Sequence, residues 1–398
     1  MTRPVYMRVT AIYGAQWTRA RTHLPFELED IARQTKAVVR RREIANGEML
    51  LRVLLTYASS GWTLEKTVSW LGEQGWARMN ASALFFRLRG SSEFLSRTLA
   101  SMIQRGVACE GRRLKIVDAT SLSCPGTRGT DYRVHVVYNP ATGAPFAVQV
   151  SGAREGESFV RHQFSEGDLV LGDRGYSRAR GIHHVIDSKA DVLVRVHTNA
   201  IRLLDADGVN IDWRAREACV PEVGSNSFWV RLPVPSPNAK SNWPNSAAVA
   251  WHDVRIIGAR TGKGDVVWLV TNLSAEDLSD EEALLLYRKR WQVELFFKRL
   301  KSLADLDEIP NKDPSTTVSW ILLKLIGALL AMNLTSEVFS PWGYEPAAQS
   351  QPVEAIQRRR HRVTQSTRRG RPPRSTRSSQ TCQAQTLQAA APTLTLEA

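Results

Sequence analysis

A cluster of charged and hydroxyl-bearing side chains lies between Tyr287 and Lys301, where the sequence reads YRKRWQVELFFKRLK. A helix turns about 100° per residue, so it would hold Tyr287, Arg290, Glu294 and Lys301 within about 60° of its circumference, beside an apolar stripe that can dock on a core. A carboxylate beside two cations and a phenol suits a metal ligand set among groups that hold phosphates. The alternative is an amphipathic surface helix with a solvated, mixed-charge face.

Two aspartates follow apolar runs of the kind that form strands. Asp118 follows L-K-I-V and continues as D-A-T-S, and Asp173 follows D-L-V-L-G and continues as D-R-G-Y. An aspartate at the end of a strand commonly caps a turn, so either residue alone is a weak signal. Three carboxylates on separate elements are, however, the set that metal-dependent phosphodiester chemistry requires.

The motifs D-x-T-S, G-D-R-G-Y and Y-x2-R-x3-E-x6-K, whose acidic residues are spaced by 55 and 121 positions, resemble those of the IS-four family of bacterial insertion-sequence transposases. This resemblance implies an α/β fold, in which a mixed five-stranded sheet of the RNase H type is flanked by helices and interrupted by a β-rich insertion. It implies that Asp118, Asp173 and Glu294 are catalytic and bind two Mg²⁺ ions, for which Mn²⁺ can substitute.

The resemblance also implies a set of contacts with DNA. Arg290 and Lys301 would bind phosphates of the scissile strand, and Tyr287 would donate a hydrogen bond to a phosphate. Trp268, in V-V-W-L-V-T-N-L, occupies the place of a tryptophan that stacks on a flipped base in members with the β-rich insertion. Trp291 is a second candidate for the same base. A tryptophan in an apolar strand is more often a core residue, and for Trp268 that alternative stays open.

The formal net charge of +14 and a pI near 10.0 favour a polyanionic partner. Residues 355–398 hold nine arginines and one glutamate, or +8, which leaves +6 for residues 1–354. We expect this tail to be disordered, and to be either a flexible basic arm on DNA or an extension read in a shifted frame. The four cysteines show no paired spacing, and we expect a cytoplasmic, nucleoid-associated protein that has no membrane segment.

The N-terminal region is helical in pattern. A short helix over 64–70, with Thr63 as its N-cap, and a second over 82–89 surround a glycine-containing turn. They favour a helix-turn-helix, in which Arg87 and Arg89 would contact DNA, or equally a plain helical domain. From the patterns as a whole we predict five segments: a helical DNA-binding region (1–106), the first part of the catalytic core (107–190), a β-rich insertion with the last core strand (191–275), the second part of the core with the catalytic helix (276–340) and a disordered basic tail (341–398).

The predicted function is that of a DNA transposase, which cuts at the terminal inverted repeats of its element and joins the ends to target DNA as a homodimer in a synaptic complex. One alternative is an inactive copy that occupies the repeats as a repressor. Another is a stand-alone nuclease of the RNase H type.

Overall fold

The computed structural model describes residues 16–39, 43–104, 112–236 and 248–336. These residues form two compact units. The first unit contains the described parts of 1–163, 170–172 and 289–348, and the second contains 164–169 and 173–288. The five-segment organisation stays a prediction, and its tail at 341–398 lies outside the described residues.

The N-terminal part of the first unit is helical, as predicted. Thr63 caps the predicted helix and accepts a hydrogen bond from the Lys66 amide at 3.2 Å. Asn80 caps the next helix and accepts from the Ala83 amide at 2.8 Å. Within the described part of residues 1–104 the helices are α1 (Trp17–Ala20), α2 (Leu28–Gln34), α3 (Gly47–Ser60), α4 (Leu64–Glu73), α5 (Ala81–Arg89) and α6 (Ser92–Gln104).

Three antiparallel strands, β1 (Arg113–Leu122), β2 (Tyr132–Asn139) and β3 (Ala144–Gly152), form a meander in the first unit. Ile116 and Val117 before Asp118 are buried, as is most of β2, which anchors this part of the sheet in the core. Strand β4 (Asp168–Gly172) is buried at every position. It corresponds to the apolar run before Asp173.

The second unit contains α7 (Ala179–Asp187), β5 (Asp191–Arg195), α8 (Trp213–Ala218) and α9 (Asp280–Arg288), together with the strands of the predicted insertion. Those strands are β6 (Ser225–Val234), β7 (Ala250–Arg260) and β8 (Val266–Thr271), and the pairs β5–β8, β6–β7 and β7–β8 are antiparallel.

The strands follow the order β3-β2-β1-β4-β5-β8-β7-β6 in one sheet. The predicted α/β class is confirmed. The sheet has eight strands rather than the five expected for the core, because β8, β7 and β6 continue it beyond β5.

The helices α10 (Trp291–Ala304) and α11 (Pro314–Ser336) complete the first unit. By length and composition, Pro314–Leu334 of α11 could cross a bilayer, but 72% of its apolar window is buried inside the protein. The core helix of a soluble domain passes the same test, and α11 packs against α3, α6 and α10. Lys324 within it is buried, and its ammonium group lies 4.8 Å from the ring centroid of Trp320. This apolar helix is therefore buried inside the protein.

The prediction of one continuous helix from Tyr287 to Lys301 is wrong. Helix α9 ends at Arg288 and α10 begins at Trp291. The amides of Gln292 and Val293 bond to carbonyls three residues back, at 3.1 and 3.2 Å, so the regular ladder is interrupted there. The two helices belong to different units. The hydrophobic periodicity of the sequence does not show where the chain passes from one unit to the other.

Candidate active site

Asp118 lies within β1, opposite Val136 of β2. The expectation that it ends its strand is wrong, because the pairing of β1 with β2 continues to Leu122. Its Oδ1 accepts a hydrogen bond from the following amide, that of Ala119, at 2.8 Å. The side chain is half-buried, whereas the two preceding residues, Ile116 and Val117, are fully buried. The strand therefore fixes the backbone beneath this carboxylate.

Asp173 directly follows β4 and precedes a short 3₁₀ helix, Arg174–Tyr176. Its side chain makes no capping hydrogen bond to that turn. Instead its Oδ1 accepts a hydrogen bond from the hydroxyl of Tyr287 on α9, at 3.0 Å. The ordinary role of an aspartate at a strand end, capping the next turn, is therefore not what this carboxylate does.

Glu294 lies in the first turn of α10, near the positive end of the helix dipole. Its Oε1 is 2.7 Å from a guanidinium nitrogen of Arg290. The Arg290 side chain is only 16% exposed and that of Glu294 is 45% exposed, so the arginine is packed beneath a carboxylate that solvent reaches.

Lys301 lies further along α10, which packs against β1. Its Nζ donates a hydrogen bond to the main-chain oxygen of Ser121, at 3.3 Å. Ser121 is three residues past Asp118 on β1. The first unit thus brings the strand of Asp118 into contact with the helix of Glu294 and Lys301.

Carboxylates are hard oxygen donors, which suit Mg²⁺ or Mn²⁺. An ionised carboxylate has about four lone-pair sites, so neither the hydrogen bond on Asp173 nor the ion pair on Glu294 exhausts its capacity to bind a metal. Within the four described stretches, no three His, Cys, Asp or Glu side chains are grouped as a metal site. The donor chemistry therefore fits divalent ions, although the carboxylates do not form a ready-made metal cluster.

The two tryptophans predicted to contact DNA differ in exposure. Trp268 is 7% exposed and packs against Trp213 and Phe228, with ring centroids 5.4 and 6.1 Å away. A Cβ built on Gly258 would lie 2.4 Å from its ring, so the indole fills a place that the glycine leaves open. Trp291, in contrast, is 53% exposed at the start of α10. Trp268 is a core residue of the second unit, and its stacking on a base stays a prediction that requires the ring to become accessible.

Arg87 and Arg89 lie in the last turn of α5. Arg87 is half-buried, and burial lowers the pKa of its guanidinium group. Arg89 is exposed and lies 3.9 Å from a carboxylate oxygen of Asp313, a weak surface ion pair. Both side chains are close enough to the surface for the predicted DNA contact, which stays a prediction.

Arg255 and Asp280, which the sequence did not single out, form a buried ion pair in the second unit. Arg255 is 2% exposed, although it lies in the middle of β7. It also donates to the main-chain oxygens of Leu273 and Ser274, at 3.0 and 3.3 Å, and to that of Leu278. An arginine inside the apolar run V-R-I-I was the feature of the sequence that could have indicated a buried ion pair. It ties the segment before α9 to the sheet.

Residues 110–330 match the family described as the transposase DDE domain. InsL of the insertion sequence element IS186A of Escherichia coli strain K12 is 30% identical over 342 residues, which cover 79% of this chain and 92% of InsL. The transposase for insertion sequence element IS421 of Escherichia coli is 30% identical over 343 residues, with the same coverage.

A solved structure, the piggyBac transposase synaptic complex with hairpin DNA, is 8% identical with a TM-score of 0.41, covering 92% of this chain and 83% of that one. A likeness at that level carries no argument about function.

The class follows from the matched domain and the eight-stranded α/β fold: this is a DDE enzyme, of a family that generally uses divalent metal ions. More particularly, the chain belongs to the DDE transposases of bacterial insertion sequences, and the predicted membership of the IS-four family is confirmed by the relatives from IS186A and IS421.

Proposed function

We propose that this transposase binds the terminal inverted repeats of its own insertion sequence, cuts both ends through a hairpin intermediate, and joins them to target DNA. Asp118, Asp173 and Glu294 are the catalytic carboxylates of this proposal. Two copies of the chain act together on a pair of ends, and the protein works on the nucleoid in the cytoplasm.

One observation carries the proposal: three contacts of the Y-x2-R-x3-E-x6-K signature lead to a candidate carboxylate or to the strand of one. Tyr287 donates to Asp173. Arg290 is paired with Glu294. Lys301 donates to a main-chain oxygen of β1, the strand that carries Asp118. A solvated, mixed-charge surface would not be expected to direct three of its polar groups to Asp173, to Glu294 and to the strand of Asp118.

In this mechanism Asp118, Asp173 and Glu294 would hold two Mg²⁺ ions, or Mn²⁺ in their place, through carboxylate oxygens. When bound, such ions activate the attacking oxygen and stabilise the leaving oxygen of a phosphodiester displacement. Arg290 and Lys301 bring positive charge to the phosphates on either side of the scissile bond. Arg290 binds a phosphate when its ion pair with Glu294 opens. The same guanidinium group therefore pairs with the carboxylate before DNA binds and with the phosphate afterwards.

The test uses the full-length protein and a plasmid that carries the reading frame's own flanking ends, incubated with Mg²⁺. We expect double-strand breaks at both ends, hairpin-ended fragments on denaturing gels, and insertion of the released segment into a second plasmid. End binding without cleavage would instead identify a repressor. Cleavage without joining would identify a nuclease.

A further inference from the structure

We propose that Tyr287 is a positioning residue for the Asp173 carboxylate, a role separate from the phosphate contact that its place in the signature predicts. The inference rests on the proposed function, because Asp173 matters here as a metal ligand. It is carried by the hydrogen bond from the Tyr287 hydroxyl to Asp173 Oδ1, at 3.0 Å, within the second unit.

The backbone of Asp173 is extended, with φ −81° and ψ 179°, and its main-chain oxygen accepts from the Tyr176 amide at 2.9 Å. Its side chain makes no capping hydrogen bond to the turn that follows. The carboxylate instead accepts from the Tyr287 hydroxyl, which lies 114 residues further along the chain and within the same unit. This hydrogen bond fixes the position of Oδ1 relative to α9.

The helix that carries Tyr287 has a firmly fixed start. Ser279 and Glu282 form a reciprocal capping box, in which the Ser279 amide donates to Glu282 Oε2 at 3.0 Å and the Glu282 amide donates to Ser279 Oγ at 3.2 Å. Arg255 reinforces this start through its buried pair with Asp280 and its bonds to the preceding carbonyls. The helix that carries the phenol is therefore anchored at its N-terminus.

The chemistry of the pair assigns the direction of the hydrogen bond. An ionised carboxylate only accepts, so the phenol must donate its proton to Asp173. This bond uses one of the roughly four lone-pair sites of the carboxylate. Partners that orient a metal-binding carboxylate in this way typically change metal affinity or activity by about 10–100-fold when they are removed.

The experiment compares the full-length wild-type protein with Tyr287→Phe, which deletes the hydroxyl and keeps the ring. Mn²⁺ binding is measured without DNA, by electron paramagnetic resonance of the free ion. Duplex binding is measured separately, in EDTA, with one of the element's ends. We expect Mn²⁺ affinity to fall by about 10-fold or more, while the unfolding midpoint stays at the wild-type value. End affinity in EDTA reports the phosphate contact separately, because no metal is bound there. Tyr132→Phe, on β2 of the first unit, is the matched control and should change neither binding.

Wild-type Mn²⁺ affinity in Tyr287→Phe would overturn the inference, whatever its end affinity in EDTA. Asp173→Asn separates this outcome from failure of the proposed function. If Asp173→Asn loses Mn²⁺ binding and Tyr287→Phe does not, only the positioning role is wrong. If Asp173→Asn itself binds Mn²⁺ normally, the site assignment fails, and the inference fails with it.

Discussion

Arg290 and Glu294 form an ion pair of 2.7 Å at the start of α10, and the arginine is the more buried of the two partners. A partly exposed ion pair of this kind is worth about 0.2–1 kcal/mol, so it can open when a stronger partner arrives for either group. The pair joins two of the proposed functions, metal binding by the glutamate and phosphate binding by the arginine. The two groups hold each other while metal and DNA are absent.

This relationship predicts opposite effects of Arg290→Gln on two measurements. Removing the competing cation should tighten Mn²⁺ binding by up to about fivefold, the equivalent of about 1 kcal/mol. Cleavage of an end should nevertheless slow, because a charged contact with the phosphate is lost. Calorimetry with Mn²⁺ and a nicking assay on labelled ends report the two effects. Weaker Mn²⁺ binding in the variant would mean that Arg290 supports the ligand instead of competing for it.

Arg87 and Arg89 give a second prediction, which concerns DNA binding alone. Arg87→Ala and Arg89→Ala should each weaken binding to the element's end, and each lost phosphate contact should lower the salt dependence of binding by about one unit of slope. Arg97→Ala is the matched control, because Arg97 is exposed on α6 and paired with Glu93 at 2.7 Å. Gel shifts at several salt concentrations make the comparison. Unchanged slopes in both α5 variants would place DNA recognition elsewhere.

The two tryptophans should separate core packing from DNA contact. Trp268→Ala removes a buried ring and should lower the free energy of unfolding by about 3–5 kcal/mol. Trp291→Ala, at an exposed position, should change it by less than about 0.5 kcal/mol. If Trp291 stacks on the flipped base, its alanine variant should nick normally but close hairpins more slowly, by the equivalent of about 1–3 kcal/mol. Urea unfolding and denaturing gels report these effects. If Trp291→Ala closes hairpins at the wild-type rate, Trp291 does not stack on the flipped base.

His135 makes stability depend on pH. It is fully buried, its Nε2 lies 2.8 Å from Ser151 Oγ, and burial, followed by the charges of Arg161 and Arg133, lowers its pKa to about 4. In the unfolded chain this histidine binds a proton near pH 6.5, whereas in the folded protein it does so only near pH 4. The free energy of unfolding should therefore fall as pH drops from about 6.5 towards 4, by at most about 3 kcal/mol.

The measurement for His135 is urea unfolding as a function of pH. His135→Gln should remove this component of the pH dependence, whereas His184→Gln, at a half-buried helix position, should keep it. If the wild type and His135→Gln lose stability in parallel below pH 6.5, the buried imidazole is not the cause.

The sequence predicted the elements that local patterns determine. Apolar runs located the strand that contains Asp118 and the strand before Asp173, and the cap at Thr63 forms as expected. These features depend on neighbouring residues only.

Other features depend on the tertiary structure, and the sequence did not reveal them. The break at Lys289–Arg290 arises where the chain passes from one unit to the other, and no glycine or proline marks it. The burial of Arg255 requires carbonyl oxygens from a segment 18 to 23 residues away. Whether Trp268 faces the core or solvent could not be decided either, because an apolar strand accommodates a tryptophan in both cases.

We propose that Asp118, Asp173 and Glu294 cleave the DNA strand while other residues recognise the DNA. Asp118→Asn, Asp173→Asn and Glu294→Gln each remove one negative charge and keep the shape of the side chain, and Glu294→Gln can still accept a hydrogen bond from Arg290. The most direct measurement is nicking of a labelled element end with Mg²⁺, alongside a gel shift on the same duplex. We expect all three variants to bind the end as the wild type does and to show no nicking. Wild-type nicking by any one of them would contradict the assignment of that carboxylate to the active site.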